Sequence, residues 1–248
     1  MMNARQHDSS APDLDVGATA AQAQRLFDLQ LAFNLYPATY AHASWLAPLG
    51  QATPTGEEAR ELHASPFWIR ALSTQLLRQE QLDQHFDCDF FDPAKRLALL
   101  DAATLTRIAG LVSATLRRER LRRTIRQADV FAVQSCMGSQ AHAFAVSWEG
   151  PLPLQQHTVE GEGWPTRAVW ERTSVARLFT ALPSHATGVI GRLRLRFPKD
   201  WELPRQPLLA EPLRVGLTQL IVGVIAQASP QWSWLFESRS FEPGAGRC

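Results

Sequence analysis

Apolar residues recur at helical spacing along most of the chain. After Ser65 the set Trp68, Leu72 and Leu76, joined by Phe67 and Ala71, follows the period of an α-helix. Leu105, Ile108, Ala109, Val112 and Leu116 repeat the pattern after Asp101, and Val169, Thr173, Ala176 and Phe179–Thr180 repeat it after Thr166. Near the C-terminus Leu213, Leu217, Leu220, Ile221 and Val224 form a fourth stripe. Each stripe needs a second helix to cover it. Helix starts are marked as well. Thr55 and Glu58 stand in the reciprocal positions of a capping box. Ser65-Pro66 and Asp92-Pro93 each read as an N-cap followed by proline at the first helical position, where a missing N–H costs nothing. Glu211-Pro212 is a looser version of the same signal.

One segment supports two readings. Arg192-Leu-Arg-Leu-Arg-Phe197 alternates like a half-exposed strand, yet Ala186, Val189, Ile190, Leu193 and Phe197 also fit a helix that starts after Ser184. The helix is favoured, because no second strand pattern offers a partner and a lone strand leaves its backbone unpaired.

The pattern therefore predicts a mainly α protein, an irregular helical bundle with a smaller C-terminal helical part. Residues 1–18 are polar and read as a disordered tail, residues 19–148 as an N-terminal helical domain, and 149–165, with its Gly-Pro and Trp-Pro breaks, as a linker. Residues 166–236 read as the C-terminal helical part and 237–248 as a flexible tail. No internal repeat is present.

Composition narrows the class. Of 248 residues, 45% are hydrophobic and 20% charged, enough apolar material to build a core. The net charge of +1 argues against a protein whose main work is coating nucleic acid or an anionic membrane. Three cysteines, at 88, 136 and 248, are too few and too scattered for a disulfide framework, so a reducing compartment is expected. No signal-peptide core opens the chain. The longest apolar stretch, Leu217 to Ala228, carries Gln219 and Gln227 and falls short of the ~20 residues that cross a bilayer. A cytosolic protein is the expectation. The charge is polarised: residues 1–110 hold 8 basic and 13 acidic side chains, residues 111–248 hold 17 and 11. Such a chain has two ends that attract opposite partners.

The motifs of common enzymes are missing: no G-x-G-x-x-G, no Walker phosphate loop, no G-x-S-x-G elbow, and no histidine pair at helical metal-ligand spacing. The densest polar cluster is His85-Phe-Asp-Cys-Asp-Phe-Phe-Asp92. It would serve a metal-dependent enzyme, but hard carboxylates and a soft thiolate suit different ions and no second ligand cluster completes a shell. Asp92 also has a capping position to fill. The Arg-rich run Arg117 to Arg126 holds Arg117, Arg118, Arg120, Arg122 and Arg123, with Leu116, Leu121 and Ile125 free to face a core. It reads as a solvated ridge, as a docking surface for an acidic protein, or as a nucleic-acid-binding helix, although no base-stacking aromatics accompany it. Trp232, Trp234, Leu235 and Phe236 either lock the last helix onto the core or form an interface. His42, in an apolar-rich segment, reads as a packing histidine.

Three segments carry a resemblance. Phe33-Asn-Leu-Tyr-Pro-Ala-Thr-Tyr-Ala-His-Ala-Ser-Trp-Leu46 resembles the N-terminal signature of the SctK family of type III secretion proteins, the YscK/OrgA/MxiK group with its Hrp-type members. The signature positions are Pro37, Tyr40 and His42. Leu116 to Ile125 resembles a Leu/Arg helix from the middle of the family, and Gly191-Arg-Leu-Arg-Leu-Arg-Phe-Pro198 an Arg/Leu segment near its end. All three occur in the family's order and span roughly Phe27 to Phe236. The resemblance implies a helical, non-enzymatic cytosolic adaptor without cofactor or metal. It would join the pod-forming protein of the sorting platform to the cytoplasmic domain of the inner-membrane ring protein, with no nucleic acid bound and no insertion into the membrane. The arginine ridge is the expected docking surface.

Overall fold

The computed structural model describes residues 16–49, 65–153, 163–205 and 209–237. The capping box at Thr55 and Glu58 and most of both tails lie outside them, while residues 16–18, assigned to the tail, belong to the first helix. That helix, α1 (Val16–Leu35), leads through a 3-10 turn at Pro37–Thr39 into α2 (Ala43–Leu46). Then come α3 (Pro66–Gln79), α4 (Pro93–Arg96) and a 3-10 turn at Leu97–Leu99. The middle of the chain is α5 (Ala102–Thr115), α6 (Arg118–Arg123), α7 (Gln127–Met137) and α8 (Ser139–Ser147). The last third is α9 (Arg167–Phe179), α10 (Thr187–Arg194), α11 (Glu211–Ala228) and a closing 3-10 helix, Pro230–Phe236.

The described residues contain helices and no strand, so the protein is mainly α and the Arg192–Phe197 ambiguity resolves as helix α10 and its exit. Among the described residues no helix is long and apolar enough to cross a membrane. Of the caps read from the sequence, Asp92 makes its side-chain bond, and Asp101 and Thr166, read only as the residues before their helices, cap as well. Asp92 accepts a hydrogen bond from the Ala94 N–H, Asp101 from Thr104, and Thr166 from Val169, each meeting a backbone donor that the first helical turn leaves unpaired. Ser65 occupies its N-cap position without making the side-chain bond, and Ala210, before Glu211-Pro212, caps nothing.

Two apolar clusters hold the fold. The larger runs from Leu26 and Phe33 on α1 to Leu235 and Phe236, with α5 at its middle: Leu105, Ile108, Ala109 and Val112 are buried against α8, α9 and α11. A smaller cluster gathers Trp45 of α2, Leu72, Leu76 and Leu77 of α3, Leu82, and Leu195 after α10. Each Leu fully buried in such a cluster adds on the order of 2 kcal/mol of transfer free energy before the entropy of ordering it is counted. The Trp232–Phe236 segment joins the larger core: Leu235 is fully buried and the Arg96 guanidinium donates to its carbonyl at 2.9 Å.

Three apolar stripes depart from the expected pattern. On α9 the buried set is Trp170, Ser174, Val175, Leu178 and Phe179, and Val169 faces solvent, because burying the Trp170 indole removes far more apolar area from water than burying a valine. On α3, Leu72 and Leu76 are buried but Phe67 is 81% exposed. The Leu116–Leu121–Ile125 stripe presumed one unbroken helix. The chain instead breaks at Arg117 and again at Thr124, so Leu121 is buried and Ile125 is 85% exposed.

Candidate functional site

The first and last of the three matched segments meet in space. Pro37 opens the turn after α1, its ring taking the first helical position. That turn brings Tyr40 back over α1, where its hydroxyl donates to the Phe33 carbonyl at 2.7 Å and its ring stacks on Phe33 at 5.7 Å. Tyr40 packs against both apolar clusters. Burial drives its phenol well above the ordinary range, against the pull of Arg196 and Arg192. His42 is exposed rather than packed. It caps α2, its Nδ1 accepting the Ser44 N–H at 3.2 Å, while its own backbone N–H donates to the Leu195 carbonyl at 2.7 Å. Trp45 completes the seam by donating its indole N–H to the Phe197 carbonyl at 2.8 Å.

The arginines of the C-terminal segment hold this seam from the other side. Arg192, 1% exposed, donates to the carbonyls of Asn34, Leu82, His85 and Gly188. Burial lowers its pKa, with Tyr40 and Asp87 acting the other way. Arg196 lies over the Tyr40 ring and donates to the Ala98 carbonyl at 3.1 Å. Gly188 lets the loop come close: a Cβ there would stand 2.5 Å from the His85 carbonyl oxygen that Arg192 also uses.

The polar cluster His85–Asp92 belongs to the same knot. The buried Asn34 side chain donates to the Asp87 carbonyl and accepts the Asp87 N–H. The buried Lys95 ammonium takes the Asp87 carboxylate at 2.9 Å and reaches Asp89 at 3.5 Å. Asp92 caps α4 and pairs with Arg214 at 3.2 Å. Cys88 is exposed. Among the described residues no three His, Cys, Asp or Glu side chains gather as a metal site requires. Sequence reasoning missed Asn34, Lys95, Arg96 and Arg192, whose type and position alone read as solvent-exposed.

The middle segment lies elsewhere. Arg118 donates to the carbonyls of Trp148 and Gly150, and Arg122 to those of Val146 and Trp148. Two guanidinium forks thus bind the carbonyl end of α8, where helix geometry leaves acceptors unpaired and the macrodipole is negative. Arg117 lies 5.1 Å from the Trp170 ring centre and Arg120 4.4 Å from that of Trp164. Arg123 alone of the five expected docking arginines is exposed and without a hydrogen bond or ion pair among the described residues. Beside it stand the exposed Ile125 and Arg126, and then the outer face of α7 with Ala128, Phe131 and Ala132, Phe131 being 72% exposed.

No curated protein and no solved structure matches the chain. Residues 29–237 match the family described as YOP proteins translocation protein K (YscK). The match covers the Pro37–Tyr40–His42 turn, the Arg118–Arg123 helix and the Arg192–Pro198 segment alike. The chain belongs to the YscK family and is a type III secretion protein.

Proposed function

We propose that this protein is a non-enzymatic adaptor of the type III secretion sorting platform. It links the pod-forming protein to the cytoplasmic domain of the inner-membrane ring protein and resides at the cytoplasmic face of that membrane through the apparatus. One observation carries the docking part of this reading: Ile125 and Phe131 are 85% and 72% exposed and are bordered by the outward-facing Arg123 and Arg126. Large apolar side chains left in water, Ile125 in the α6–α7 connection and Phe131 on α7, beside cations unpaired among the described residues fit a partner that brings an apolar anchor with acidic neighbours. Of the expected ridge, Arg123 carries the docking role directly, while Arg117, Arg118, Arg120 and Arg122 shape the surface by holding α6 against α8 and α9.

The test is capture of the pod protein and, separately, of the ring protein's cytoplasmic domain by the full chain, together with secretion in the native host. Phe131→Ser with Arg123→Glu is expected to abolish capture of one of the two and to block secretion while the thermal melt stays unchanged. Undiminished capture of both partners would remove this surface from the account.

A further inference from the structure

The three arginines of the run Arg192-Leu-Arg-Leu-Arg196 have unequal surroundings. Arg192 is saturated with carbonyls and Arg196 reaches the Ala98 carbonyl. Arg194, on the other side of α10, makes no hydrogen bond among the described residues; its Nε, like that of Arg196, is buried without a hydrogen-bond partner. It lines a cleft of about 360 Å³ between α3 and α10, bounded by Trp45, Gln81, Leu82 and Arg205. That volume lies in the range of small-ligand pockets.

Burial and a neighbouring cation both weigh on Arg194, which is without a hydrogen bond among the described residues. Burial lowers its pKa first, and the neighbouring Arg205 lowers it further, since two like charges oppose each other at the cleft. Glu80 also lines the cleft and attracts Arg194, but its contact is with Lys199 at 3.8 Å. Lys199 in turn stands 4.8 Å from the centre of the Trp45 ring, whose other neighbour is the Arg194 guanidinium at 5.8 Å. Gln81 enters the cleft from a left-handed backbone position, φ 56°, which a glutamine occupies only under constraint. An arginine that lines a cleft and makes no hydrogen bond among the described residues has guanidinium donors free for an acceptor from outside.

We propose that the Trp45–Arg194–Arg205 cleft binds a small oxyanion, a phosphate or carboxylate group held by the Arg194 and Arg205 guanidiniums. The planar guanidinium fork matches both groups, and the anion removes the repulsion between the two cations as it meets the terminal N–H groups of Arg194, which make no hydrogen bond among the described residues. The proposal stands apart from the adaptor reading, because the cleft does not include the Arg123–Phe131 surface.

Isothermal titration of the full chain with inorganic phosphate, and separately with citrate, at constant ionic strength tests it. Saturable binding of at least one anion at one site per chain is expected, with the tighter of the two naming the ligand class. Arg194→Gln and Arg205→Gln should each weaken it at least about tenfold, a loss of roughly 1.4 kcal/mol. Arg194→Lys, which keeps the charge and loses the fork, should fall between. Arg78→Gln, on the exposed side of α3, should leave the affinity unchanged. Because a variant that fails to fold would also lose binding, the wild-type melt is read alongside: the bound anion should raise it in proportion to the logarithm of concentration. Absence of saturable binding by both anions overturns the proposal, as does equal affinity in a folded Arg194→Gln protein.

Discussion

The guanidinium carbon of Arg196 lies 4.2 Å from the centre of the Tyr40 ring, so residues from opposite ends of the chain meet face to face. A cation over an aromatic ring gains most where water is excluded, and here the ring below is half-buried between the two apolar clusters. The contact ties the turn opened by Pro37 to the exit of α10. In this chain the Phe33–Leu46 and Gly191–Pro198 segments are therefore two halves of one structural latch.

Removing the phenol oxygen tests the latch. Tyr40→Phe deletes the bond to the Phe33 carbonyl and should cost about 1 kcal/mol in chemical denaturation. The pH dependence carries a second signature. The folded phenol titrates above its ordinary value of 10.0, so its contribution is intact below that pH and fades as pH rises from there through the folded value. Wild type should lose stability above pH 10 more steeply than Tyr40→Phe, and parallel alkaline limbs would contradict the burial of this phenol.

Arg192 should be the most sensitive side chain of the seam. Arg192→Met keeps most of the volume but strands the carbonyls of Asn34, Leu82 and His85 in a dry interior. The expected loss is on the order of 3 kcal/mol, read as a lowered denaturation midpoint at unchanged slope. A loss below about 1 kcal/mol would mean that water replaces the guanidinium.

The sequence makes most helices legible because local chemistry announces them. Asp92, Asp101 and Thr166 satisfy donors within their own first turns, and such bonds need no tertiary partner. Which face of a helix is buried is a global matter. Val169 yields to Trp170, and Ile125 turns outward once the chain breaks at Thr124. The seam is harder still. Arginine in an alternating run reads as solvated, and only the fold supplies the four carbonyls that make Arg192 a core residue. The charge of Arg118 and Arg122 is equally visible in the sequence, but the bare carbonyl end of α8 that receives it is not.

Asp101 offers a pH test of the caps. Burial acts to raise its pKa, but the Thr104 backbone and hydroxyl bonds outweigh burial and leave it below the ordinary 3.8. A lowered native pKa means that the cap stabilises α5 above pH 4 and is lost as pH falls through the native value. Asp101→Ala should cost about 1 kcal/mol at neutral pH. Wild type and variant should converge in acid, and a gap that persists there would assign the effect to packing.

Gln81 predicts the opposite sign. It follows the C-terminus of α3 at φ 56°, where Leu82 closes the helix by donating to the Leu77 carbonyl at 2.7 Å. Glycine accepts this geometry without strain, so Gln81→Gly should stabilise the protein by about 0.5–1 kcal/mol and raise the melting temperature by a few degrees. Unchanged or lower stability would show that the glutamine side chain holds the cleft in compensation.

The two arms of the central arginine helix should separate by experiment. Arg118 and Arg122 bind the carbonyl end of α8, so charge reversal at both sets carboxylates against carbonyl oxygens. The double variant Arg118→Glu with Arg122→Glu should lose about 2–3 kcal/mol and show faster hydrogen exchange across α6 and α8. Arg123→Glu with Arg126→Glu alters two exposed cations that no hydrogen bond or ion pair holds among the described residues, and should change stability by less than about 0.5 kcal/mol. The comparison matters because loss of partner capture in the first variant would report an unfolded surface, whereas loss in the second reports the contact itself. Equal melts for the two double variants would show that the forks on α8 contribute nothing, and the whole ridge would then return to the docking surface.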